Sequence, residues 1–211
     1  LDISVNFEID SKNKEVSNDL MLLNIQNSLE NLRWKLGKYR KTWGDVDGTS
    51  VLDVINPAES ILNQSLPGLE MPSRWLGETS VFIGNNTSEI FFSFKRDTLH
   101  AVNSTSGDSG SDIGLKSSFD IESGQLNFYL GSLFPRVGVI NVASGLSDSS
   151  RYNLVGISAH KEIENYLVKF DLAKKINLKR STASGLVKDD RTDAALGIEY
   201  APSTYDQLSL T

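Results

Sequence analysis

Seven apolar residues, Leu22, Ile25, Leu29, Leu32, Leu36, Tyr39 and Trp43, recur at spacings of 3, 4, 3, 4, 3 and 4. On a helix this places all seven on one stripe, so the spacing predicts a single helix from about residue 15 to 42 with that stripe buried. Glu15 and Asp19 stand near its start, while Arg33, Lys35, Lys38, Arg40 and Lys41 crowd its end, the order a helix dipole favours. Such a helix would be ~40 Å long. Gly37 weakens it and Gly44 ends it. The chain's own sheet is the expected packing partner.

Strands are expected on both sides of this helix. Residues 3 to 9, "ISVNFEI", alternate apolar and polar with period two. From residue 79 onward come "TSVFIG", "EIFFSFK", "LKSSFDI", "QLNFYLG", "VGVINV", "YNLVGIS", "ENYLVKFDL" and "ALGIEY". Asn85-Asn86 and Glu122-Ser123-Gly124 read as the turns of two hairpins, and residues 181 to 193 as a polar stretch. Between helix and strands, residues 44–78 form a connecting segment with a short helix capped by Asn56, Pro57 and Glu59 and stopped by Pro67-Gly68. The expected fold is therefore one α+β domain over 1–211. It has an N-terminal strand and long helix (1–43), a connecting segment (44–78) and an antiparallel β region (79–211).

Composition narrows the chemistry. A net charge of −6 and a pI near 5.0 argue against a nucleic-acid partner. Cysteine is absent, which removes disulfides, thiolate metal sites and cysteine nucleophiles, and two histidines are too few for a multi-histidine metal centre. No run of about 18 apolar residues occurs, so no segment is expected to span a membrane, and attachment is expected only through an anchor outside this chain.

Gly107-Asp108-Ser109-Gly110 matches the letters around a trypsin-like nucleophile. His100 and His160 stand in the wrong order for that family, however, and Ser111-Asp112 follows where a glycine and a proline should. The stretch reads as loop chemistry and no catalytic residue is assigned. In "GDVDGTSVLD", Asp45, Asp47 and Asp53 are candidate hard-oxygen ligands for calcium, although the register is not that of an EF-hand. Asp189, Asp190 and Asp193 form a second acidic cluster, diluted by Lys188 and Arg191. Trp34 falls off the apolar stripe and Trp75 stands beside Pro72 and Arg74. These two tryptophans are the candidate contacts for a partner or ligand.

The phrases "FIGNNTSEIFFSFKRD" (82–97) and "SFDIESGQLNFYL" (118–130), following a long helix, resemble the soluble region of type IV pilins. The likeness is nearest to the larger minor pseudopilins of the J type. That resemblance covers roughly residues 15 to 130. It implies a non-enzymatic extracytoplasmic subunit of a bacterial fibre, secretion or adhesion system, with other protein subunits or its own copies as partners. The alternative is a β-sandwich recognition module of the laminin-G or lectin kind, binding a glycan or a protein.

Overall fold

The computed structural model describes residues 2–7, 20–47, 51–55, 74–94, 110–135, 138–142, 144–145, 147–203 and 206–210. Their alternation of apolar and polar residues is expressed as strands throughout. In chain order these are β1 (Asp2–Phe7), β2 (Leu20–Leu29), β3 (Leu32–Tyr39), β4 (Arg74–Ile83), β5 (Asn86–Ser93), β6 (Ile113–Ile121) and β7 (Gly124–Leu133). The short β8 (Val139–Ile140) and β9 (Ser147–Asp148) come next. Then follow β10 (Tyr152–Ile163), β11 (Tyr166–Thr182), β12 (Gly185–Ser203) and β13 (Asp206–Leu210). Eleven of them form one sheet in the order β1-β2-β3-β4-β5-β6-β7-β10-β11-β12-β13, every neighbour antiparallel; β8 and β9 pair separately.

This corrects the α+β expectation: no helix occurs among the described residues. Over residues 20–39 the predicted 15–42 helix is instead the β2–β3 hairpin, turning at Glu30–Asn31, where Glu30 takes a φ of 36°; residues 15–19 lie outside the described residues. The reason lies in a symmetry of the spacing. Leu29 and Leu32, then Ile25 and Leu36, are equidistant from that turn, and each pair faces across the hairpin as direct partners. A 3-4 pattern mirrored about a turn thus serves a hairpin as well as a helix. Nor is the stripe buried as one face. Leu29, Leu32 and Leu36 are 60%, 38% and 41% exposed, whereas Tyr39 and Trp43 belong to the buried cluster.

The strand assignments from residue 79 onward agree with β4 to β8 and β10 to β12; the turn expected at Asn85-Asn86 falls one residue earlier, at Gly84–Asn85, with Asn86 opening β5, and the second turn falls at Glu122–Ser123. Polar residues 181–193 lie on the β11–β12 hairpin rather than in a loop. Asn56, Pro57, Glu59 and Pro67-Gly68 fall outside the described residues, as does Ser109.

The two faces of the sheet differ in kind. Direct partners in an antiparallel pair share a face. One row runs Ile90, Leu115, Leu130, Val155, all of them 38–51% exposed. The adjacent row, on the opposite face, runs Ser80, Glu89, Lys116, Tyr129, Gly156, Ala173, Asp193. A further row of that second face is Ser118, Asn127, Ser158 and Asp171, all buried. The second face therefore encloses polar and charged side chains together with an apolar cluster that includes Leu76, Phe91 and Leu154, while the first face leaves large apolar side chains exposed. Enclosure comes from the chain itself: residues 41–47 and 51–55 lie over the second face.

Candidate functional site on the inner face

The connection after β3 leaves the sheet at Tyr39 and crosses the inner face, held by a succession of side chains. Lys41 comes first. Its ammonium is 2.7 Å from Glu78 Oε2 and also contacts Glu89 Oε1. Glu78 accepts further bonds from Tyr39 Oη (3.3 Å) and Ser80 Oγ (3.5 Å), with Arg33 at 3.9 Å. Burial works against the charge on Glu78, but Lys41 outweighs it and holds the carboxyl below the ordinary glutamate value. Burial, reinforced by the Glu78 charge, leaves Glu89 above it. Two carboxylates around one ammonium cannot both be fully compensated.

Trp43 comes next, 2% exposed, edge-on to Phe91 (5.2 Å between centroids) and tilted against Tyr129 (5.1 Å). Its ring occupies the space left by Gly114 on β6: a Cβ there would lie 2.4 Å from the indole. Leu52 and Ile55 complete this cluster with Leu76, Leu133, Tyr152 and Leu154.

Asp45 follows. Its Oδ2 accepts from Ser158 Oγ (2.6 Å) and Asn127 Nδ2 (3.2 Å), and its Oδ1 lies 3.3 Å from His160 Nδ1. Because Ser158 and His160 bond to Asp45 and not in a serine–histidine–aspartate relay, this group lacks the geometry of a nucleophilic triad. Asp171 of β11 accepts the backbone N–H groups of Asp45 (2.9 Å) and Val46 (3.3 Å), and burial raises its carboxyl above the usual aspartate value. Asp47 is bound by Lys169 at 2.6 Å, and Lys169 also contacts Glu199 of β12. At the far end Arg74 donates to the Ile55 carbonyl (3.1 Å) and to Ser93 Oγ (3.0 Å) and pairs with Asp112.

The calcium candidates are thus separated. Asp45 and Asp47 take different partners, and Asp53 lies 3.8 Å from Arg40. Among the described residues no group of three His, Cys, Asp or Glu side chains is placed to hold a metal. In the second acidic cluster Asp189 pairs with Arg180, Asp190 with Lys174, and Asp193 with Lys175 and Arg191. Trp34 and Trp75 stand on the opposite, apolar face, Trp34 half-buried and Trp75 41% exposed. Sequence reasoning missed Glu78, Glu89, Asn127, Ser158, Lys169 and Asp171. Their signal was present, as polar residues at alternate positions within apolar strands, but such alternation was read with the apolar set turned inward.

No family model, no curated protein and no solved structure matches this chain.

Proposed function

We propose that this chain forms the wall of a transmembrane β-barrel of the outer-membrane type, and that it serves as a passage for polar solutes narrowed by its own residues 41–47 and 51–55. One observation carries the reading: the open face of the sheet is a continuous series of exposed apolar side chains, while the enclosed face buries polar and charged side chains beside an apolar cluster, so the face left open is the more apolar of the two. Lipid would cover what water would otherwise have to wet.

The dimensions agree. On β6 the outward residues run from Ile113 to Ile121, nine residues, the length a tilted strand needs to cross a hydrocarbon core. On β11 and β12 the apolar series Tyr166, Val168, Phe170, Leu172 and Ala194, Leu196, Ile198, Tyr200 gives way to Lys174, Thr192 and Asp190, so a belt edge falls there. Tyr166 and Tyr200 stack at the other edge (4.8 Å), a position suited to the lipid–water interface. Connections at that edge are two residues long, at Glu30–Asn31, Gly84–Asn85, Glu122–Ser123 and Glu164–Asn165. At the opposite edge they span 40–73, 94–112 and 134–151. The β11–β12 hairpin turns in two residues, Ala183–Ser184, at that opposite edge too, but all the long connections named stand there, as insertion from one side produces. A window of 18 apolar residues tests for helices only. No helix among the described residues is long and apolar enough to cross a membrane. Strands cross by a different pattern. The lectin alternative calls for two sheets packed face to face, whereas here one continuous meander carries the core.

The three tryptophans supply the test. In single-tryptophan variants refolded into vesicles with brominated acyl chains, Trp34 and Trp75 should be quenched, Trp34 more by deep bromines. Trp43 should not respond. A chain that stays in the aqueous phase, or in which Trp34 and Trp75 escape quenching, would refute the proposal.

A further inference from the structure

The carboxylates of the inner face gather toward the short-turn edge. Between β3 and β6 the charges stand against one another. Lys35 lies directly opposite Glu78, Lys116 directly opposite Glu89, Lys41 contacts both carboxylates, and Arg33 reaches Glu78 at 3.9 Å. Nearer the long loops Arg74 pairs with Asp112, and Asp193 with Lys175 and Arg191. From β6 to β12, close to the short turns, the balance tips. Asp120, Glu162 and Glu199 stand on the inner face there, and the crossing segment lays Asp45 and Asp47 over the same area. The basic side chains facing them are Lys169, shared by Asp47 and Glu199, and His160, 3.3 Å from Asp45; Lys161 shares the outward face with Val168. Asp171 is taken up by two backbone N–H groups. Asp120 and Glu162 are exposed, as are Glu30, Glu122 and Glu164 in the turns of that edge. None of them has a cationic group within 4 Å among the described residues, and Asp120 bonds to the neutral Gln125 Nε2 at 3.1 Å.

Deeper in, Asn127 is enclosed, 0% exposed, with its amide aimed at this group. Its Nδ2 donates to Asp45 Oδ2 at 3.2 Å and to Ser158 Oγ at 3.1 Å. Its Oδ1, on the same carbon, is shut off from water and has no hydrogen-bond partner among the described residues. A bare acceptor beside a carboxylate calls for a donor that is itself positive. We infer that the short-turn mouth of the passage is a carboxylate vestibule drawing in cationic solutes, that Asp45 and the Asn127 carbonyl oxygen receive them, and that small organic cations with N–H groups, amines or guanidinium compounds, are therefore favoured over anions. Exposed carboxylates ringing a mouth raise the local concentration of cations and turn anions away. Asp45 keeps 15% of its side chain exposed, and His160 makes the longest of its contacts named here, so an incoming ammonium has that contact to displace. An N–H cation fits better than a bare metal ion, because no three His, Cys, Asp or Glu side chains among the described residues are placed to hold one.

This inference rests on the passage reading above, and the experiment separates the two. Protein that passes the lipid-quenching test is reconstituted in planar bilayers, and the permeability ratio of potassium to chloride is read in a potassium chloride gradient. The ratio should exceed one. It should fall several-fold in the Asp120→Asn, Glu162→Gln double variant, whose changes lie on exposed side chains and leave the enclosed contacts alone. Butylammonium should pass several-fold better than its isomer tetramethylammonium, which has no N–H to offer, and Asn127→Val should erase that preference. An anion-selective current, a ratio unmoved by the double variant, or equal passage of the two isomers overturns the inference while leaving the passage intact. Membrane-inserted protein that carries no current overturns both.

Discussion

Asp47 is an exposed aspartate with an outsized role, because the segment that crosses the inner face is moored there. The hydrogen bond from Lys169 holds its carboxyl below the usual aspartate value. Burial works against the charge on Lys169, but Asp47 and Glu199 outweigh it and hold that ammonium above the ordinary lysine value. A depressed carboxylate contributes stability above its unfolded value of about 4, which is lost as pH falls through the folded value. A raised lysine contributes below about 10.4, lost as pH rises beyond it. The mooring should therefore hold between those limits. Comparing denaturant unfolding of the wild type and Lys169→Met across pH checks it: the difference should be constant near neutrality and shrink below about pH 4. A difference that does not depend on pH would assign Lys169 a packing role only. Gly114 makes a second residue-scale prediction. Its Cβ would collide with the Trp43 and Phe91 rings at 2.4 Å, and neither ring has room to retreat, so Gly114→Ala should cost about 1–3 kcal/mol in urea unfolding. Trp43→Ala, which empties the same socket, should cost about 3–5 kcal/mol.

At the scale of elements, the outward face of each strand should respond to charge according to depth. Leu130→Arg, in the middle of β7's apolar series, should lose about 2–4 kcal/mol when unfolding is measured from vesicles, whereas Ile83→Arg, beside the Gly84–Asn85 turn, should lose about 0–1 kcal/mol. Equal costs at both positions would mean the face is not in lipid. The same face explains what the sequence disclosed and what it concealed. Strand positions from residue 79 onward were legible because period-two alternation and Gly, Asn, Ser or Glu turns mark them whichever face is buried. The sense of that alternation was not legible, since a strand reads the same with its apolar side toward a core or toward lipid. The β2–β3 hairpin was hidden by its own symmetry about Glu30–Asn31. Two such turn residues look no different from the polar side of a helix. Asp45 was singled out for its carboxylate, yet Ser158, Asn127 and His160, which give that carboxylate its setting, lie 82 to 115 residues downstream and carry no motif.

For the whole molecule, the β11–β12 hairpin is the longest feature, continuing past Lys174 and Asp190 to Ala183–Ser184 as a ribbon tied by Arg180–Asp189 and Lys179–Asp148. Its tip is exposed and lies at the long-loop end. A peptide tag inserted between Ala183 and Ser184 should be tolerated and should bind antibody on intact vesicles loaded from outside. The same tag at Glu122–Ser123 should bind only after the vesicles are opened. Labelling of both tags, or of neither, from outside would contradict a sheet that crosses the bilayer in one orientation. The strand order carries a consequence of direction. Strands that alternate up and down along a meander regain the starting sense at every odd position, so β1 and β13, the first and eleventh positions of the sheet, point the same way. Were these two edges to meet, their seam would be the single parallel ladder in a wall otherwise free of them. A cylinder with only antiparallel seams would have to interpose an odd number of strands between them. A second copy turned about the pore axis cannot do so, because its own edges also run in the sense of β1 and β13, and eleven more strands would meet them in parallel at both junctions.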